Sequence, residues 1–164
     1  MIIINIEDDF DLKKIADSGQ CFRWQPIEDN GYRIIHGELC LCIWKYSDCI
    51  EKMNSDSMED KFRTLYEEKN TDSLYILDCT EDEYNGVWSA YLDMEEVYSD
   101  IRTKIDKDND SFLYEAAEHE KGIRILRQDP WEALISFIIS QNRIIPAIKA
   151  SIEKLSERAG IKKR

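Results

Sequence analysis

Two short stretches of this 164-residue chain concentrate side chains able to recognise a flat, polar ligand. The first is Asp17-Ser18-Gly19-Gln20-Cys21-Phe22-Arg23-Trp24. A glycine lets the backbone approach a planar molecule closely, Gln20 and Arg23 offer hydrogen bonds, and Phe22 and Trp24 offer stacking surface. An ordinary strand accounts for the same residues, with Phe22 and Trp24 on a core face and Arg23 on the wet face. The second stretch runs from Gly122 through Leu126-Arg127-Gln128-Asp129-Pro130-Trp131-Glu132 to Ser140-Gln141-Asn142. There Gln141, Asn142 and Arg143 gather where an apolar helix ends, and these residue types carry the paired donors and acceptors that match base edges. A helix C-cap and turn with no ligand accounts for them equally.

Metal chemistry finds little support. The five cysteines (Cys21, Cys40, Cys42, Cys49, Cys79) are odd in number and form no C-x-x-C pair, and His36 and His119 are the only histidines. Cys40 and Cys42 share one strand face and would suit a soft metal, but no second ligand pair accompanies them. The expectation is no metal and no cofactor, with the cysteines as buried small hydrophobes. No phosphate-cradling glycine motif occurs.

The elements that must hold these residues follow from periodicity. Ile2-Ile3-Ile4 opens a strand, Gln20 to Pro26 carries another, and Tyr32 to Trp44 reads as a hairpin with its turn at Gly37-Glu38 and a preceding turn at Asn30-Gly31. Leu74 to Cys79 suits a further strand. Met58, Phe62, Leu65 and Tyr66 recur at helical spacing, predicting a helix over about 58–68. Asp93-x-x-Glu96 has the form of a capping box, predicting a helix over about 94–105. A short helix from Phe112 to His119 then stops at Gly122. Asp129-Pro130-Trp131-Glu132 is a strong helix start, with an acceptor at the cap, proline in the first turn and an acid near the positive dipole end. The residues that follow, Trp131 to Ile139, are apolar on nearly every side, so that helix must be covered on every side. One more helix begins at Pro146, with Ile145, Ile148, Ile152 and Leu155 as its stripe and Gly160 at its end. A single amphipathic partner cannot cover its predecessor, and more helices are expected to follow.

Composition narrows the class. A mean hydropathy of -0.53 and apolar stretches far below 18 residues exclude a membrane-spanning helix. The acidic Glu7, Asp8 and Asp9 after the opening strand do not suit a signal peptide, so a cytoplasmic protein is expected. A net charge of -12 opposes phosphate binding, but its distribution does not. Residues 1–120 hold 12 basic and 30 acidic side chains, whereas residues 121–164 hold 10 and 4.

Taken together, the two stretches resemble a known family. Gly19-Gln20-Cys21-Phe22-Arg23-Trp24 is similar to the G-Q-x-F-R-W signature of the N-terminal domain of 8-oxoguanine DNA glycosylases. Leu126 to Glu132, followed by Ser140-Gln141-Asn142, resembles that family's entry into its helix-hairpin-helix domain. The resemblance implies an α+β fold: a TATA-binding-protein-like antiparallel sheet with packed helices over residues 1–120, then the first helices of an all-α glycosylase domain over 121–164. It implies a base-excision-repair DNA glycosylase with AP lyase activity that flips an oxidised purine out of the duplex, where a lysine displaces the base and forms a Schiff base. It also implies substrate contacts from Gly19, Gln20 and Phe22, and DNA contacts from Gln141, Asn142, Arg143 and Lys149. The partner is then double-stranded DNA containing a damaged purine, bound by a monomer. The catalytic lysine and its assisting aspartate belong to segments beyond Arg164, so the chain itself is expected to be inactive. Ala147 stands where the family carries an arginine that recognises the orphaned cytosine. Two other readings stay open: a glycosylase for alkylated purines, and a non-catalytic DNA-binding module of the same fold.

Overall fold

The computed structural model describes residues 1–49 and 71–160. Five strands form one antiparallel sheet: β1 (Ile2–Asn5), β2 (Trp24–Pro26), β3 (Tyr32–His36), β4 (Leu39–Lys45) and β5 (Leu74–Leu77), in the order β1-β5-β4-β3-β2. The helices are α1 (Leu12–Asp17), α2 (Tyr46–Cys49), α3 (residues 81–91, with a π-helical turn over Tyr84–Trp88), α4 (Tyr98–Thr103), α5 (Ser111–His119), α6 (Pro130–Ser140) and α7 (Ile145–Ala159). The chain is thus α+β, with a helical segment after the sheet region, as expected.

Alternation sets the core. Leu41 and Ile43 of β4, Ile34 of β3 and Trp24 of β2 turn to one face, where they meet Ile15 of α1 and Trp88, Tyr91 and Leu92 from α3 and its end. Trp44, Leu74, Ile76 and Tyr46 form a smaller cluster on the opposite face. All four residues of β5 are buried, because this strand lies inside the sheet with side chains needed on both faces. The hairpin turns follow backbone chemistry. Asp29 and Asn30 take φ of 58° and 54° before β3, and Gly37 takes 56° between β3 and β4. Gly31 serves otherwise: the Trp44 ring fills the place a Cβ would take, at 2.2 Å.

Residues 122–128 leave α5 as an extended segment, and every second side chain points inward: Gly122, Arg124 and Leu126 are buried. Arg124 is only 1% exposed. Its guanidinium donates to the Asp9 carbonyl (2.7 Å), the Asp93 carbonyl (2.7 Å), the Glu96 carbonyl (3.1 Å) and the Asp8 carboxylate (2.9 Å). The Tyr98 ring lies 4.8 Å from it on one side and the Phe10 ring 5.9 Å away on another. Around it, Asp9 takes two hydrogen bonds from Arg102, and Asp93 accepts from the Tyr98 hydroxyl and from Arg127. One buried cation therefore gathers three segments far apart in sequence.

Several sequence expectations change for physical reasons. The second strand begins at Trp24 rather than Gln20, because Gln20 bonds to the 124–128 segment instead of to a neighbouring strand. The helix expected over 94–105 starts only at Tyr98, and Asp93 is not its cap. Asp93 sits at φ 54° facing Arg127, and the cap comes from Asp8, whose carboxylate accepts the Tyr98 and Ser99 N–H groups at 2.7 and 3.0 Å. The capping box lies earlier, between Thr80 and Glu83. Gly122, at φ 101°, follows a helix end capped at Glu120, and its bareness lets Asp11 approach, since a Cβ there would lie 2.7 Å from that of Asp11. Of the cysteines only Cys21 and Cys79 are buried; Cys40 is exposed, and Cys42 and Cys49 are half-buried. The helix expected over 58–68 lies outside the described residues. Among the described residues, no helix is long and apolar enough to cross a membrane.

Two outcomes follow from the Arg124 centre. Arg124→Met keeps an unbranched side chain but leaves the half-buried Asp8 and three carbonyls without their Arg124 donor, so denaturant unfolding should show a loss of roughly 3–5 kcal/mol. A loss under about 1 kcal/mol, the scale of an exposed ion pair, would contradict this reading. Burial pushes the Asp8 carboxyl up, but hydrogen bonds from Tyr98, Ser99 and the backbone overcome it and hold the group below its ordinary value. A lowered carboxyl contributes stability above its unfolded pKa and loses it as pH falls through the folded one. The stability gap between wild type and Asp8→Asn should therefore shrink as pH falls below the ordinary carboxylate range; a gap constant from pH 7 to pH 2 would count against it.

Candidate functional site

Residues 18–24 lead from α1 into β2, and Gln20 among them lies against the 124–128 segment. The Ser18 hydroxyl donates to the Ile15 carbonyl at 2.7 Å, ending α1. Gly19 follows at φ 79°, a left-handed conformation that glycine adopts without a Cβ penalty. It is exposed, and a Cβ built there meets nothing within 4 Å, so its requirement for glycine is conformational in the free protein. Among the described residues, no donor reaches the Gly19 carbonyl.

Gln20 is heavily engaged. Its amide nitrogen donates to the Arg124 carbonyl (2.8 Å) and to the Ser18 hydroxyl (3.0 Å), and its amide oxygen accepts the Leu126 N–H (2.8 Å). Gln128 answers by donating to the Gln20 carbonyl at 2.6 Å. Cys21 is buried, and desolvation pushes its thiol up to about 12, which makes it inert as a nucleophile. Phe22, half-buried, precedes β2 and escapes the strand alternation expected for it. Trp24 is core, with its indole N–H donated to the Tyr91 hydroxyl at 3.0 Å, and the His36 ring rests 4.6 Å from that of Tyr91.

Two contacts tie this edge of the sheet to the helices. Arg23 lies 3.6 Å from Glu132 in the first turn of α6, and the buried Arg23 Nε finds no hydrogen-bond partner among the described residues. Burial raises the Glu132 carboxyl, partly offset by Arg23 and His36. Gln25 of β2 donates to Glu153 of α7 at 3.0 Å.

At the far end of α6, Gln141, Asn142 and Arg143 stand together and exposed. Asn142 takes φ 58°, a left-handed turn position that asparagine tolerates better than most residues. Arg143 donates to the Ser151 hydroxyl at 2.8 Å, across the mouth of a groove of about 590 Å³ between α6 and α7 that Lys154 and Arg158 also line. Lys149 is placed apart from these three: it is half-buried, and its charge acts on the Cys21 thiol. The basic segment also divides. Lys121, Arg124 and Arg127 face Asp9, Asp8 and Asp93, whereas Arg143, Lys154 and Arg158 border open solvent.

The expected apolar wrapping of α6 is found without its cover. None of its residues is buried in this chain, and Trp131 and Phe137 are 69% and 63% exposed. Sequence reasoning gave Arg124 and Asp8 no structural role and read Asp93 only as a helix cap. The one available signal was the alternation from Gly122 to Leu126, which places Arg124 on the same side as the inward Leu126.

Comparisons with known proteins agree with this geometry. The family described as 8-oxoguanine DNA glycosylase, N-terminal domain, matches residues 1–134. Over 68 residues the chain is 37% identical to the N-glycosylase/DNA lyase OGG1 of Arabidopsis thaliana, a stretch covering 42% of this chain and 17% of that protein. Among solved structures it is similar to MBOgg1 in complex with a low-affinity DNA ligand, with a TM-score of 0.75 and 32% identity over 99% of this chain and 48% of that one. It is similar also to the Clostridium acetobutylicum 8-oxoguanine glycosylase/lyase bound to double-stranded DNA with cytosine opposite 8-oxoguanine, with a TM-score of 0.72 and 33% identity over 100% of this chain and 50% of that one. The chain spans about half the length of these structures. With the family matched over most of its length and the signature loop lodged against the segment that enters α6, this chain belongs to the 8-oxoguanine DNA glycosylases through their N-terminal domain.

Proposed function

We propose that the chain supplies the sheet half and the opening helices of a base-excision-repair DNA glycosylase and AP lyase that removes 8-oxoguanine from double-stranded DNA. Residues 1–120 form the N-terminal domain in this reading, and residues 121–164 open the helix-hairpin-helix domain. The carrying observation is Gly19: an exposed left-handed glycine with a free carbonyl, inside the family's signature and fixed against the approach to α6. A free carbonyl at that place can accept the extra N–H that oxidation adds to guanine and that normal guanine lacks, which is the kind of single-bond distinction a buried polar site enforces.

Phe22 would stand beside the base with Gly19 and Gln20. Gln141, Asn142 and Arg143 would face the gap left by the flipped nucleotide, with Lys149 nearer the base loop. Ala147 leaves reading of the opposite base to Asn142 and Arg143. The phosphate contacts fall to the exposed Arg143, Lys154 and Arg158, since the earlier cations Lys121, Arg124 and Arg127 are paired with Asp9, Asp8 and Asp93. The protein would act as a monomer and without a cofactor. Five cysteines without a disulfide accord with a cytoplasmic setting.

The chemistry would come from a lysine whose amine attacks the sugar C1′ as the base departs, leaving a Schiff base. None of Lys149, Lys154, Lys162 or Lys163 stands in the motif that carries that lysine. Residues 1–164 alone should therefore give no covalent product with 8-oxoguanine duplex under borohydride, and a trapped complex would refute this. In a glycosylase that carries this half together with its helical remainder, Gly19→Ala should weaken excision of 8-oxoguanine by roughly 1–3 kcal/mol, from strain at positive φ and loss of one hydrogen bond. Its affinity for undamaged duplex should hardly change. Unchanged single-turnover excision would reduce Gly19 to a turn residue and favour a different lesion.

A further inference from the structure

The Gln20 side chain stands in the signature loop, yet the structure leaves its amide little to offer a base. Both amide hydrogens are engaged, toward the Arg124 carbonyl at 2.8 Å and the Ser18 hydroxyl at 3.0 Å, and its oxygen accepts the Leu126 N–H at 2.8 Å. The side chain behaves as a short piece of strand laid beside residues 124–126, satisfying one backbone donor and one backbone acceptor that the extended segment leaves open. Gln128 completes the exchange from the other side, its amide donating to the Gln20 carbonyl at 2.6 Å.

The three bonds to residues 124–128 join partners more than a hundred residues apart, next to Gly19. On the far side of Gln128 the chain passes at once into Asp129, whose carboxylate accepts the Glu132 N–H at 2.9 Å and caps α6. The neighbouring Arg127 N–H is held by the Tyr91 carbonyl at 2.9 Å, so the segment cannot slide along the loop without breaking bonds on both of its edges.

We infer that Gln20 and Gln128 are positioning residues: they fix the Gly19 carbonyl relative to the start of α6 and do not themselves read the base. The inference rests on the proposed role of Gly19. It replaces the expectation of a direct substrate contact from Gln20 with an indirect one, and it assigns a role to Gln128. A reading group displaced by about 1 Å forfeits much of its effect on rate, which is why a weld at this point matters for chemistry.

The test uses the glycosylase that carries this half with its helical remainder, in the variants Gln20→Met, Gln128→Met, the double variant and Gly19→Ala. Methionine keeps length and volume and removes every amide bond. Single-turnover excision of 8-oxoguanine is measured well below each variant's melting temperature, beside affinity for undamaged duplex. Each glutamine variant should lose about tenfold in excision, the scale of a misplaced reacting geometry, with duplex affinity unchanged. The double variant should lose little more than either single one, because both bonds hold the same loop. If the glutamine variants melt earlier but excise at the wild-type rate once folded, the two residues are structural only and the inference fails. A loss confined to Gln20→Met would mean a direct base contact, which also overturns it. Normal rates in the glutamine variants beside a slowed Gly19→Ala would sink the inference and leave the reading of Gly19 standing, whereas normal rates in all four would sink that reading itself. Gln128→Met removes a single bond, so it remains informative if Gln20→Met does not fold.

Discussion

A guanidinium taken almost wholly out of water must have its charge and its nitrogen donors answered, and every nitrogen of Arg124 finds an acceptor. Its partners come from the end of the first strand region, from the turn after α3 and from the carboxylate of Asp8. None of these can move independently while the cation remains inside. Asp8 in turn caps α4, Asp9 clamps Arg102, and Asp93 joins Tyr98 to Arg127. The seam between sheet and helices is therefore a network of ionic and hydrogen-bonded contacts, in contrast to the apolar core on the sheet's inner face. Replacing both partners of such a pair by apolar groups can be tolerated, whereas removing one strands the other, so the network holds geometry more than it supplies net stability.

That constraint reaches the functional loop through a short path. Arg124 and Leu126 are inward residues of one extended segment, and the backbone groups at those two positions are the ones that Gln20 engages. The same segment ends at the cap of α6, whose apolar flank stands open in this chain. The chain's charge distribution gains a structural meaning from this. Part of the acidic excess of residues 1–120 pairs with basic residues that follow, whereas Arg143, Lys154 and Arg158 border the groove between α6 and α7. In the proposed glycosylase, strong negative charge on the sheet half would disfavour its lying flat on DNA and would leave the helical side to meet the phosphates.

Much of this architecture was legible before any coordinates. The hairpin from β3 to β4 announced itself by apolar alternation around Gly37, and α6 by Asp129 and Pro130, because both signals are local. The helix after Asp93 was misplaced because its cap is Asp8, about ninety residues earlier, and no window along the chain can show that. Arg124 was read past for the same reason: an isolated arginine in an extended run looks solvent-exposed until its four distant acceptors are in place. In the candidate site, the place of Asn142 just after an apolar helix was legible from local pattern, while the roles proposed for Gly19 and Asn142 rest on the family motif. Gln20 was assigned to the ligand because an amide beside a glycine suggests recognition; its bonds to the Arg124 carbonyl and the Leu126 N–H were not legible, since their proximity is a product of folding. Phe22 was assigned to a strand that starts two residues later.

The central claim is that this half of the molecule presents the Gly19 carbonyl, held in place from the 124–128 segment, to an oxidised purine. A crystal structure of the glycosylase carrying this half, with its catalytic amine removed and bound to duplex containing 8-oxoguanine, tests it most directly. The account predicts the flipped base with its added N–H about 2.7–3.2 Å from the Gly19 oxygen, the ordinary range for such a bond. A flipped base seated in the protein with residues 18–20 out of hydrogen-bond reach would contradict it.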